Sequence, residues 1–167
     1  VPAASNVTPR GENLLTKWPL GDAVKKGAID TVVGALTDMQ GRLMGKRVDG
    51  EYFMESAAHG EAVEGCNYLL AVDMDMDPVP GYAMANWESG YGDFDMVPDF
   101  NTLRRIPWLE GTALDLSDVA WHDKSPVKPS PRQVLRAQIE RAKAMGLEAM
   151  FGTELEFYLV KETFAEG

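Results

Sequence analysis

The chain has 167 residues, 45% apolar and 25% charged, the profile of one folded domain or of a small domain with a piece of another. Acidic residues outnumber basic ones, 26 to 16, for a formal charge of −10; that balance argues against a phosphate-backbone partner, which needs clustered Lys and Arg, and suits carboxylates that collect divalent cations, although acidity also serves solubility alone. The single Cys66 excludes an internal disulfide and a Cys-based metal site, and no apolar run nears the roughly 20 residues that span a bilayer.

The first ten residues, with Pro2 and Pro9, read as a loose tail, within a flexible N-terminal segment over 1–20. Leu14 to Lys26 predicts one or two helical turns. Ala28 to Leu36 is β-branched and apolar enough for a strand. Asp38-Met39-Gln40-Gly41 reads as a turn, with Gly41 free to take a positive φ, and Arg42 to Val48 as the returning strand of a hairpin. Glu51 to Glu64 predicts a helix. Tyr68 to Met76 predicts a strand ending in the alternating Asp73, Asp75 and Asp77, broken by Pro78, Pro80 and Gly81. Trp87 to Asp99, rich in Gly and Asp, reads as a loop or irregular edge, and Thr112 to Trp121 as a further strand. This order describes an α+β unit in which a sheet wraps a helix.

Three prolines between Lys124 and Pro131 place a domain boundary there, giving a first domain over 21–123 and a second segment over 124–167. Ser130-Pro131-Arg132-Gln133 opens a helix with the elements of a capping box, and Pro131 stands at the first position, where its missing N–H is harmless. Leu135, Ile139, Ala142 and Met145 form one apolar stripe, and Gly146 closes the helix. The period then changes to two. Ala149, Phe151, Leu155, Phe157 and Leu159 fall on one face of a predicted strand, with Glu154 and Glu156 together on the other, their Cα atoms roughly 6.5–7 Å apart. Two carboxylates that close repel unless a cation neutralises them, and Mg²⁺ and Mn²⁺ are hard ions that prefer such oxygens. A solvated strand face carrying alternate Glu is the ordinary alternative.

Phe151-Gly152-Thr153-Glu154-Leu155-Glu156-Phe157-Tyr158-Leu159 resembles the Gly-x-Glu-x-Glu-Phe strand that opens the metal site of glutamine synthetases. The helix beginning Ser130-Pro131-Arg132 is similar to the one preceding that strand in the type I branch. Thr37-Asp38-x-x-Gly41 through Gly45-Lys46 resembles the hairpin of the family's β-grasp domain, and Pro98-Asp99 matches its Pro-Asp signature. The matches stand in the family's order and cover roughly 28–160. The resemblance implies an N-terminal β-grasp domain followed by the first helix and strand of the catalytic domain. It implies ATP-dependent ligation of ammonia or an amine to the γ-carboxylate of glutamate, with ATP as substrate and Mg²⁺ or Mn²⁺ held by Glu154 and Glu156. It also implies a ring-forming homo-oligomer, in which one subunit's β-grasp loop completes its neighbour's site.

Two departures qualify that reading. The Phe-Asp-Gly-Ser-Ser run of many ammonia-using members is missing. Trp87 to Asp95 stands in its region, which looks more like relatives that take polyamines or ethanolamine, with Ser89 and Asp93 as candidate latch residues. The family's remaining metal, glutamate and ATP contacts fall beyond Gly167, so these 167 residues alone are expected to be inactive; a non-catalytic β-grasp fragment or interaction module is the alternative of another class. Without the basic and apolar regions of a signal peptide, a cytoplasmic protein is expected, and the Asn6-Val7-Thr8 sequon carries no weight. His59 and His122 read as surface or hydrogen-bonded residues, too few for a His-based metal site. Cys66 reads as a small buried hydrophobe, and the nine methionines as core filler. Gly90-Tyr91-Gly92 fails as a dinucleotide fingerprint, because Asp95 stands where its third glycine belongs.

Overall fold

The computed structural model describes residue 15 and residues 17–163. The tail expected over the first ten residues, and most of the 1–20 segment, lies outside them. The predicted hairpin forms from Thr31–Thr37 (β1) and Leu43–Asp49 (β2), paired antiparallel. Asp38 builds its turn: the buried carboxylate accepts from the backbone N–H groups of Gln40 and Arg42 and from Arg42 Nε at 2.7 Å, while Gly41 takes φ +84°. Burial alone would raise the Asp38 pKa, but these hydrogen bonds outweigh it and hold the carboxyl below its ordinary range. A side chain at Gly45 would run into the Gly34 carbonyl, so only Gly lets β2 lie against β1 there.

A short helix, Lys17–Lys25 (α1), precedes the hairpin, as predicted, and a second, Gly50–His59 (α2), follows it. Asp49 caps α2 by accepting from the N–H groups of Glu51 and Tyr52, and Gly60 ends it at φ +70°. The helix expected to reach Glu64 therefore stops five residues early, and Val63–Cys66 is an edge strand (β3), which leaves Cys66 only half-buried.

The strand expected at Tyr68–Met76 does not form. Asn67–Leu70 is a 3₁₀ turn, and Asp73 folds the next stretch back on itself by accepting from the N–H groups of Asp75 and Asp77. The alternating aspartates are thus an Asx-type turn rather than a strand face. The hairpin turn pins it: Arg42 donates to the carbonyls of Asp73 and Met74, and Gln40 to that of Val72.

Asp93–Arg105 is a long strand (β4) and Thr112–Ala120 the strand that pairs with it (β5). Among the described residues the sheet has five strands in the order β2-β1-β5-β4-β3, with β1 and β5 parallel and the other neighbours antiparallel. Two apolar clusters form the core. One gathers Leu20, Ile29, Val32, Phe53 and Leu103; the other gathers Leu36, Leu70, Phe94, Met96 and Val119. Asp115 and Ser117 also lie buried on β5, with Ser117 donating to Asp115 Oδ2 at 2.7 Å and Asp115 Oδ1 left without a partner. Burial pushes the Asp115 carboxyl up to about 6 despite the Ser117 bond, with the nearby Asp99 charge adding to the rise.

The third helix, Pro131–Ala144 (α3), begins and ends where predicted. Its first turn is tied to the sheet by ion pairs: Arg132 bridges Asp99 (2.7 Å) and Asp118 (3.0 Å), and Arg136 meets Asp118 at 2.6 Å. Gln133 does not complete a capping box; its amide oxygen faces Arg136. At the other end Gly146, at φ +73°, and Leu147 donate to the carbonyls of Lys143 and Ala142, a Schellman closure. The chain divides into two units, one running to Arg136 and the other starting at Ala137. No described helix is long and apolar enough to cross a membrane.

Candidate functional site

The candidate metal ligands lie beyond the Schellman turn. Residues 147–160 join no described strand, so the strand expected over Ala149–Leu159 is not realised as part of a sheet. A strand is held by ladder bonds to neighbours, and the described sheet pairs elsewhere. Glu154 and Glu156 are exposed, as are the alternating apolar residues around them: Leu155 is 89% exposed and Tyr158 96%. Neither glutamate belongs to a described group of three metal-capable side chains. Their chemistry still fits a hard divalent cation, since both offer carboxylate oxygens, two positions apart in the chain.

The candidate latch residues lie in the other unit. Asn86 organises their loop: its amide oxygen accepts from the N–H groups of Glu88 and Ser89, and its amide nitrogen donates to the Tyr82 carbonyl. Ser89 is exposed, with its hydroxyl only 3.4 Å from the Gly90 carbonyl. Asp93 is exposed at the start of β4, opposite Cys66. Tyr91 stands edge-on between Tyr68 and Trp87, with ring centres 6.4 and 5.5 Å away. Tyr82, Trp87, Glu88 and Tyr91 line an open cleft of about 420 Å³. Trp87 is 85% exposed, so the loop presents a large aromatic face to solvent.

A third constellation was not legible in the sequence. Asp95 is buried on β4, where its Oδ2 accepts from Lys124 Nζ at 2.6 Å and its Oδ1 lies 3.1 Å from His122 Nδ1. The Lys124 hydrogen bond is the largest influence on the Asp95 carboxyl; with help from His122 it overcomes the opposing effect of burial and lowers the pKa. Glu64 faces Asp95 directly across β3 and β4. A tight turn after β5 holds the two basic groups in place: Trp121 and Ser125 pair through their backbones, and Lys124 takes φ +68°. His122, expected as a surface or hydrogen-bonded residue, is exposed and lies against Asp95; only the pairing of β3, β4 and β5 shows what it faces.

Comparison with known proteins places this geometry in context. The glutamine synthetase catalytic domain matches residues 128–166, which include α3, Glu154 and Glu156. The γ-glutamylethanolamide synthetase GlnA4 of Streptomyces coelicolor is 51% identical over 165 residues, 98% of this chain and 34% of its own. The glutamate–isopropylamine ligase of a Pseudomonas species is 36% identical over 144 residues, 86% of this chain and 31% of its own. A solved structure described as a GmaS/ADP complex shares the fold at a TM-score of 0.57 and 21% identity, over 75% of this chain and 26% of that one. The chain belongs to the glutamine synthetase family. It spans about a third of the length of these curated relatives.

Proposed function

We propose that this chain serves a γ-glutamyl ligase that joins glutamate to an amine larger than ammonia. ATP phosphorylates the γ-carboxylate of glutamate, releasing ADP; the amine nitrogen then attacks the acyl phosphate and expels inorganic phosphate, leaving an amide. The observation that carries the reading is the Gly152-Thr153-Glu154-Leu155-Glu156-Phe157 run inside the segment matched to the catalytic domain. Glu154 and Glu156 would hold Mg²⁺ or Mn²⁺, which supplies charge neutralisation on the phosphates. The larger amine is favoured by the aromatic loop around Trp87 and Tyr91, which stands where ammonia-using relatives carry Phe-Asp-Gly-Ser-Ser, and by the substrates in the two relatives' names. Ser89 and Asp93 are the proposed latch residues, reaching the active site of a neighbouring copy in a ring.

The architecture proposed for residues 21–123 is a β-grasp domain, with 124–167 opening the catalytic domain. The parallel β1–β5 pair at the centre of a mixed sheet, and the approach of α2 to β1 and β2, support it. A cytoplasmic location accords with this chemistry, which draws on ATP.

A chimera tests the function directly: this chain replaces the corresponding third of the Streptomyces coelicolor relative, and glutamate-dependent phosphate release is measured with ammonia, ethanolamine, isopropylamine and putrescine. The expected result is faster turnover with one of the larger amines, and a loss of about 100-fold or more in Glu154→Gln. Turnover with ammonia alone overturns the amine assignment. Full activity in Glu154→Gln overturns the metal assignment.

A further inference from the structure

We infer that Glu64, Asp95 and His122 form a site for a small divalent transition-metal cation of the zinc type, separate from Glu154 and Glu156. The argument starts from strand register. Glu64 stands directly opposite Asp95, and two like charges so placed destabilise a sheet unless something lies between them. Asp95 is also buried; Lys124 meets its Oδ2, which leaves Oδ1 facing His122 Nδ1 on the side of Glu64. One ligand atom from each of the three residues lies within 4.8 Å of the others.

The spacing suits a metal. His122 Nδ1 and Asp95 Oδ1 are 3.1 Å apart. A tetrahedral ion with bonds of about 2.0–2.2 Å separates its ligands by roughly 3.3–3.6 Å, so a small adjustment admits the ion between them. Glu64 is exposed on the edge strand β3, with a carboxylate oxygen within 4.8 Å of the other two ligand atoms. One imidazole with two carboxylates selects zinc-like ions over Mg²⁺ and Ca²⁺, which prefer oxygen throughout. A fourth position would open toward a cleft of about 740 Å³ bordered by Lys46, Asp49, Tyr52 and Glu61.

Lys124 gives the proposal its sharpest consequence. Its ammonium holds the second oxygen of Asp95 at 2.6 Å, from a turn residue at positive φ. Lysine and metal therefore compete for one carboxylate charge. Removing the lysine should tighten metal binding, while removing His122, two residues away, should weaken it. Diffuse attraction of cations to an acidic surface has no reason to give effects of opposite sign at such neighbours.

The test is calorimetric titration of Zn²⁺ into the chelator-treated chain. One ion per chain is expected. Affinity should fall at least about 10-fold in His122→Ala and Glu64→Gln and rise about 2- to 5-fold in Lys124→Met. The Glu154→Gln/Glu156→Gln double variant should bind as the parent does, so the result stands or falls apart from the ligase reading. Absence of saturable binding, indifference to His122→Ala, or loss of binding in the double variant overturns the assignment. If His122→Ala fails to fold, X-ray absorption of the zinc-loaded parent decides: an imidazole shell supports the site and its absence overturns it.

Discussion

The sheet unit and the segment after α3 treat similar apolar residues in opposite ways. In the sheet, Phe94, Met96, Leu103 and Val119 are buried almost completely. After Gly146, Phe151, Leu155, Phe157 and Leu159 are all at least three-quarters exposed, though their alternation is as regular as that of any strand in the fold. Periodicity thus records which faces a segment offers, while burial depends on what pairs with it. The proposed metal ligands Glu154 and Glu156 lie in the segment whose faces are open, and the buried carboxylates lie in the unit whose faces are covered.

The largest test of that contrast is a pair of truncations read by urea denaturation. Phe94→Ala should cost about 3–5 kcal/mol, enough to unfold a marginal domain. Phe157→Ala in the same chain should stay within about 0.5 kcal/mol, as an exposed substitution does. Equal costs would break the comparison.

Next comes Asp115, the sheet's buried carboxyl. Its folded pKa of about 6 lies above the ordinary 3.8, so between those values the folded chain keeps a proton that the unfolded chain has released. Stability from this group is therefore fully present below about pH 4 and is lost as pH rises through about 6, by at most about 3 kcal/mol. Around it stand Ser117 and the charged Asp99, Asp118 and Arg132. Asp115→Asn should abolish this part of the pH slope, seen as urea midpoints at about pH 4 and about pH 7.5 that differ less than in the parent.

Smaller effects mark the passage from one region to the other. Arg132→Ala strips the shared cation from Asp99 and Asp118 and should cost about 1–3 kcal/mol, with earlier hydrogen exchange in the first turn of α3. Gly146→Ala forces a side chain into φ +73° and should cost about 1 kcal/mol, lowering the helical circular dichroism with little change in the sheet.

Much of the fold was readable because local chemistry writes it. The Asp38–Gly41 turn and the Pro131 start and Gly146 stop of α3 depend on nearby residues, and the structure reproduces each. Two of the failures share one cause, a partner distant in sequence. β4 begins in a Gly- and Asp-rich run that looks like loop, and it is a strand because β3 and β5 pair with it on either side, while Lys124 from beyond β5 meets the buried Asp95. The Asp73 turn looks like a strand until Arg42 and Gln40 of a distant hairpin hold it. The same rule divides the candidate sites: Glu154 and Glu156 declare themselves within one short motif, whereas Glu64, Asp95 and His122 meet only through register.

The parallel pairing of β1 with β5 also sets a timetable. Synthesis runs from the N-terminus, so β1 and β2 leave the ribosome as a hairpin whose inner edge, Thr31 to Ala35, has no partner until Thr112–Leu116 follows. Everything from α2 to β4 is made while that edge stands open. An exposed apolar strand edge is an invitation to pair with another chain, and for this protein the hazard is greatest on the ribosome and ends when β5 slots between β1 and β4.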